Sequence, residues 1–252
     1  TKFGINFWIL LLISGIFTSF IGFLISLPTL RLRGIYLAIV TLGFSEIIRI
    51  IALNWHSVTG GPMGIKGIPA PELFGLSFSG PSKYYYIFLI LALMFVFITD
   101  RILKSRVGRA WLAIREDEVA AKSLGVESSR YKSINFMYGA FWAGIMGAAY
   151  GPYYKFISSD MFTLDEGFNI LSMVIIGGQG TLVGPFVGSS IVNILTEIFR
   201  FAAEYRMVVY AILIIVMMWW RPQGLAGAYD SVLAGNQTKK RKQPNNAKAG
   251  DL

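Results

Sequence analysis

Phe7 to Leu27 is a run of twenty-one residues without a charge, rich in Ile, Leu and Phe. That length matches the ~20 residues an α-helix needs to cross the hydrocarbon core of a bilayer. Its large apolar side chains favour insertion by about 4 to 8 kcal/mol. Pro28 is expected to end the helix, and Arg31 and Arg33 follow it. Further apolar runs recur at Ile35 to Leu53, Tyr84 to Thr99, Ile134 to Gly151, Phe168 to Ile176, Pro185 to Phe199 and Met207 to Trp220. The expected fold is an all-α polytopic membrane protein with about seven transmembrane segments in this chain.

Composition narrows the function. Charged residues make up 15% of the chain, against ~25% in soluble domains. A net charge of +9 would suggest nucleic acid in a soluble protein. Here the basic residues gather in loops, as the positive-inside rule expects, and no nucleic-acid partner follows. Cysteine is absent and His56 is the only histidine, so neither a thiolate site nor a multi-histidine metal centre is expected. No stretch fits G-x-x-x-x-G-K-[ST], so the chain is not expected to hold ATP or act as an enzyme. Phe7 to Leu27 is too long for a signal-peptide core and lacks a small-residue cleavage site, so it reads as a spanning helix.

Asp100 to Ser133 carries the densest Lys and Arg, and the tail carries Lys239 to Lys242 as KKRK. Placing both in the cytoplasm puts the Gly/Pro-rich loop Asn54 to Lys83 and Gly151 to Gly167 outside. Seven crossings then put Thr1 outside. Residues 1–227 read as a transmembrane domain. Residues 228–252 read as a disordered basic cytoplasmic tail, with KKRK suited to anionic lipid. Phe168 to Ile176 falls short of a full span, so Gly177 to Pro185 is a candidate for a broken or re-entrant helix.

Four motifs stand out inside the membrane domain. Glu46 and Arg49 share a helical face at i,i+3; they read either as a structural ion pair or as groups lining a path or gate. Thr59, Gly60 and Gly61 open TGGPMG, either a turn or part of an external mouth. Gly177, Gly178, Gly180 and Thr181 lie in GGQGTLVGPFVG, either a tight helix–helix turn or a break whose backbone faces a path. Gly139, Ala143, Gly147 and Gly151 form an every-fourth stripe beside Ala140, Gly144 and Ala148, which reads as close helix packing.

The stretch Ser105 to Val126, SRVGRAWLAIREDEVAAKSLGV, is polar between apolar flanks. It reads as a short amphipathic helix-loop in water, either simply solvated or presented to a partner. Gly108 and Gly125 are expected to let the chain turn at its ends. Ala113, Ala120 and Ala121 are small enough for close approach, and Arg109, Arg115, Glu116, Asp117 and Glu118 can orient a partner.

This stretch resembles the cytoplasmic coupling loop of branched-chain amino acid ABC permeases of the LivM type, approximately G-R-x-x-x-A-I-R-x-x-E-x-A-A-x-x-L-G. Gly108, Arg109, Ala113, Ile114, Arg115, Glu118, Ala120, Ala121, Leu124 and Gly125 match it. Leu30 to Gly61, Ile175 to Gly188 and Arg221 to Gly227 resemble the same family, so the likeness runs over most of the chain. Such permeases usually carry more helices upstream. The resemblance implies an importer of the bacterial or archaeal cytoplasmic membrane. A second permease subunit (a LivH-like paralogue) completes the pore, two cytoplasmic ABC ATPases bind the ATP, and an extracytoplasmic binding protein delivers the solute. A urea or short-amide permease of the same superfamily, or an ion-coupled transporter or channel using Glu46, are the alternative readings.

Overall fold

The computed structural model describes residues 6–30, 32, 35–73, 76, 77 and 80–198, with isolated positions 211, 212, 215, 219, 224 and 225. The chain forms two compact units, Thr1–Thr163 and Leu164–Leu252. Met207 to Trp220 lies largely outside the described residues, and the 228–252 tail entirely so.

The first unit is built on α1 (Phe7–Thr29), α2 (Ile35–Asn54), α4 (Pro81–Leu103) and α7 (Ser128–Tyr154), with the four-residue α3 (His56–Thr59) after α2. Among the described residues, α1, α2 and α4 are long and apolar enough to cross a membrane. Asn6 starts α1 by accepting the Trp8 N–H at 3.1 Å. Pro28 was expected to stop this helix, but it lies inside it, and α1 runs on to Thr29. The clash of a proline falls on the turn before it, so one further residue costs little. Similarly, α7 continues through Pro152 to Tyr154.

The seam between α1 and α7 is made of small and hydroxylated residues. Ser14 donates to the Gly144 carbonyl at 3.1 Å, and Ser26 donates to Ser133 at 3.1 Å. A Cβ on Gly15 would meet the Phe141 ring at 2.9 Å, and one on Gly22 would meet Ala140 Cβ at 2.6 Å. The order of these pairs makes the two helices antiparallel. Close approach through small residues is the main source of helix association in lipid, where burial of apolar surface gives no driving force. The stripe on α7 therefore divides. Ala140 and Gly144 face α1, whereas Gly139, Ala143 and Gly147 are exposed, and open space borders Gly139 and Gly147. The expectation that both stripes are packed is corrected for this second set.

Larger side chains join α4 to the other flank of α7. Phe95 meets Trp142 edge-on at 5.3 Å, and the Thr99 and Tyr138 hydroxyls lie 2.6 Å apart. Tyr84 contacts Tyr153 at 5.4 Å between ring centroids, so α4 also runs antiparallel to α7. Tyrosines 84, 85, 86, 150, 153 and 154 collect at this end, as expected at a membrane–water interface.

The all-α expectation needs a small addition. Residues after α2 form a 3-10 turn (Gly61–Met63), and β1 (Ile65–Lys66) pairs antiparallel with β4 (Phe156–Ile157) beyond α7. Between them β2 (Glu72–Leu73) and β3 (Leu76–Ser77) make a minimal hairpin. The β1–β4 pair ties the Gly/Pro loop and the end of α7 to one end of the unit.

In the second unit, α8 (Leu164–Gly177) and α9 (Gly184–Ile198) are an antiparallel hairpin. At fourteen residues, α8 is about 21 Å long, short of a ~30 Å core. Leu225 N–H donates to the Ile176 carbonyl at 3.1 Å, and Gly224 lies against Gly178.

A paired substitution tests the seam. Gly144→Leu forces a side chain into Ser14 and Thr18 and should destabilise the fold by roughly 1–3 kcal/mol or more. Gly147→Leu meets open space and should leave the thermal midpoint in detergent near wild type. Equal midpoints for the two variants would refute the seam.

Candidate functional site

The polar stretch between α4 and α7 folds as two short helices, α5 (Arg106–Glu116) and α6 (Glu118–Ser123). Ser105 caps α5, accepting the Val107 N–H at 3.2 Å. Asp117 forms the corner. Its own N–H donates to the Ala113 carbonyl, closing α5, while its carboxylate accepts the Val119 and Ala120 N–H groups at 2.8 and 3.1 Å, opening α6. One short acidic side chain at an extended backbone position thus serves both ends. Gly125, at φ 83°, ends α6. Its N–H donates to Lys122 O and that of Val126 to Ala121 O, both at 3.0 Å, the paired closure of a Schellman motif.

Internal contacts fasten this element to its neighbours. Trp111 Nε1 donates to the Tyr131 carbonyl on α7 at 2.8 Å. Glu118 accepts from Lys132 on α7 at 2.7 Å and pairs with Lys122 at 3.0 Å. Those two ammonium groups hold the Glu118 carboxyl down to about 2, far below the usual glutamate range. Ala121 is 2% exposed. Arg109 donates to the Lys104 carbonyl at the end of α4 at 3.1 Å.

Several expectations change as a result. Gly108 does not provide a turn. It sits inside α5 and is buried, in close approach to the end of α4 at Ile102 and Leu103. Ala121 faces inward, so only Ala120 offers a small exposed surface, and Ala113 is half-buried. Asp117 and Glu118 are engaged by their own chain, whereas Arg115 and Glu116 are exposed and only loosely paired at 3.9 Å. The apolar residues Leu112, Val119 and Leu124 are exposed, Leu124 by 84%. Leu124 stood out in the sequence only as a match to the family pattern, and Leu112, Val119, Trp111 and Lys132 did not stand out at all. The Asp at 117 directly before Glu-Val-Ala-Ala was the available sign of a second helix start.

The other candidates do not join this element. Arg49 donates to Glu46 through Nε at 3.0 Å to each carboxylate oxygen, and through Nη2. Its Nη1 lies 4.0 Å from Asp160 Oδ1, in the 3-10 turn Ser159–Met161 beyond β4. The structural ion-pair reading thus gains a third member. Thr59 spends its hydroxyl on the Ala52 and Trp55 carbonyls at 2.6 and 2.7 Å and accepts the Gly61 N–H at 3.2 Å. Gly60 and Gly61, at φ 77° and 60°, complete a closed turn there. Thr181 donates to Gly178 O at 3.2 Å and accepts the Gly184 N–H at 3.0 Å, capping α9. Gly177 approaches Gly184, and Gly188 approaches Met173. Gly178 and Gly180, at φ 118° and 82°, turn the chain between the helices. This is the geometry of a tight helix–helix turn.

Two measurements probe these contacts. Because the Glu118 pKa is depressed on folding, its contribution is complete above about pH 4.3 and is lost as pH falls towards about 2. The stability gap between wild type and Glu118→Gln should therefore be constant near neutrality and vanish on acidification; a constant gap down to about pH 2 would refute the pairing. Arg49→Ala leaves Glu46 uncompensated, so it should lower the yield of folded protein more than the double change with Glu46→Ala. A double variant no better than the single one would count against the pair.

Comparison with known proteins adds the family. Residues 1–218 match the family described as branched-chain amino acid transport system / permease component. The Escherichia coli K12 high-affinity branched-chain amino acid transport system permease protein LivM is 39% identical over 246 residues, covering 88% of this chain and 58% of the relative. The probable LivM permease of Methanocaldococcus jannaschii is 26% identical over 238 residues, covering 86% and 68%. The Escherichia coli K12 permease LivH is 27% identical over 186 residues, covering 69% and 59%. The chain thus spans 58% of the length of the Escherichia coli LivM protein. No solved structure matches. The extent of the family match, over helices that fold as described, establishes that the chain belongs to the branched-chain amino acid transport permease family.

Proposed function

We propose that the chain is part of a permease subunit of an ABC importer for branched-chain amino acids in the bacterial or archaeal inner membrane. The observation that supports this reading is α5–α6: a polar element with exposed apolar residues, internally fastened to α7 and to the end of α4. An ATPase groove receiving Leu112, Val119, Ala120 and Leu124, with Arg115 and Glu116 at its edge, would move α4 and α7 together. Slack would absorb such a push; the Trp111 and Glu118 contacts oppose slack.

ATP belongs to two partner subunits, a LivH-like permease completes the pore, and a binding protein supplies the solute. The two-unit arrangement is read as seven crossings. The fourth is α7, and the short α8 and α9, joined by the turn at Gly177 to Pro185, are the fifth and sixth. The β1–β4 pair and the tyrosine-rich end of α4 and α7 form the outer face, opposite the basic α5–α6 end.

The test is uptake in a strain lacking its own branched-chain importers, with the neighbouring ATPases, permease and binding protein co-expressed. Leucine uptake is expected, with urea a poor competitor. Leu112→Asp with Leu124→Asp should abolish ATP-driven uptake and co-purification of the ATPase while leaving the permease inserted. Normal uptake by that variant would refute the docking role, and uptake driven by an ion gradient without the ATPases would refute the importer reading.

A further inference from the structure

We propose that the groove between α1, α2 and α7 is a solute subsite on the translocation path, built for a zwitterion with a branched aliphatic side chain. This proposal rests on the permease reading above and deepens it. The groove is open on one side and has a volume of about 460 Å³, within the range of small-ligand sites. Its α2 wall comes from positions 41, 44, 45 and 48, spaced i, i+3, i+4, i+7 on one helical face. These residues lie about 9 to 20 Å along a ~30 Å helix, near mid-membrane depth.

The lining divides by chemistry. Ile25, Ile48 and Phe136 give apolar walls, and Thr41, Ser45 and Asn135 are the polar groups. The Thr41 hydroxyl donates to the Leu37 and Ala38 carbonyls at 3.0 and 2.9 Å, and that of Ser45 to Leu42 O at 2.7 Å. Their protons are spent on the helix, so each oxygen offers lone pairs, which suit an ammonium. The Asn135 carboxamide has no hydrogen-bond partner among the described residues, and its NH₂ suits a carboxylate. No charged residue lines the groove. A neutral zwitterion matches that balance better than an ion does.

Glu46 sits about 150° around α2 from the groove face, and Arg49 is drawn to Glu46 and Asp160. The charged pair is therefore separate from the groove. Room for a solute comes from Gly139, where an added Cβ would meet no neighbouring helix within 4 Å.

Because the chain has no cysteine, single thiols report cleanly. Ser45→Cys and Gly139→Cys place thiols in the groove. Ile39→Cys, exposed on the opposite face of α2, is the control. In membranes holding the complete importer, the groove thiols should react with a water-soluble maleimide roughly tenfold faster than the control, and leucine with its binding protein should slow them. Gly139→Leu should cut leucine uptake roughly tenfold, with ATPase co-purification unchanged. Groove thiols that react no faster than Ile39→Cys, that ignore leucine, or that cross-link to a neighbouring helix without solute protection would overturn the subsite. So would normal uptake by Gly139→Leu. If the wild-type importer takes up leucine while the groove ignores it, the subsite alone fails. If wild type takes up no branched-chain amino acid, the permease reading itself fails.

Discussion

The close approach of α1 to α7 is the constraint on which the first unit depends. In lipid, two apolar helices gain nothing by hiding from water, so they associate where their backbones come close and polar groups can bond across. Gly15 and Gly22 on α1, and Gly144 on α7, remove the side chains that would hold the helices apart. Ser14 and Ser26 then supply the cross-helix hydrogen bonds. With this seam made, α7 has one flank left for the aromatic contacts of α4 and one exposed face along Gly139, Ala143 and Gly147.

The same helix links the two ends of the unit. At its start it holds α5–α6 through Tyr131 and Lys132. At its end it carries β4, which pairs with β1 in the loop after α2. The α2 helix stands apart from the α1–α7 pair and is anchored near its far end by Arg49 and Asp160. Displacement of α5–α6 would thus reach α7 directly, and α2 through α1 and through its far end. A groove between them would change shape as a consequence, which connects the proposed solute subsite to the proposed drive.

Much of the fold was legible in the order of residues. Long apolar runs predicted α1, α2 and α4 to within a few residues, because helix length in a bilayer is set by thickness, whereas α7 begins six residues before the apolar run that marked it. The polar stretch at 105–126 and the family likeness were equally visible. Less legible was the orientation of each residue. Glu118 and Asp117 resembled the exposed Glu116, yet one is held by two lysines and the other caps a helix. Nothing local distinguishes three adjacent acids; Lys132, fourteen residues away, does. The α7 stripes posed the same problem, since two interleaved sets of small residues have equal spacing and only the position of Ser14 and Thr18 selects Gly144.

Sequence alone determined that this chain lives in a bilayer, which segments are helical, and that a charged element interrupts them. Those properties follow from hydropathy, charge and length, which are summed over neighbours along the chain. Tertiary structure decided which face of each helix meets another, which acids are engaged and where a polar-lined groove opens. Those depend on pairs far apart in the chain, Gly22 with Ala140 or Arg49 with Asp160, whose meeting no local rule encodes.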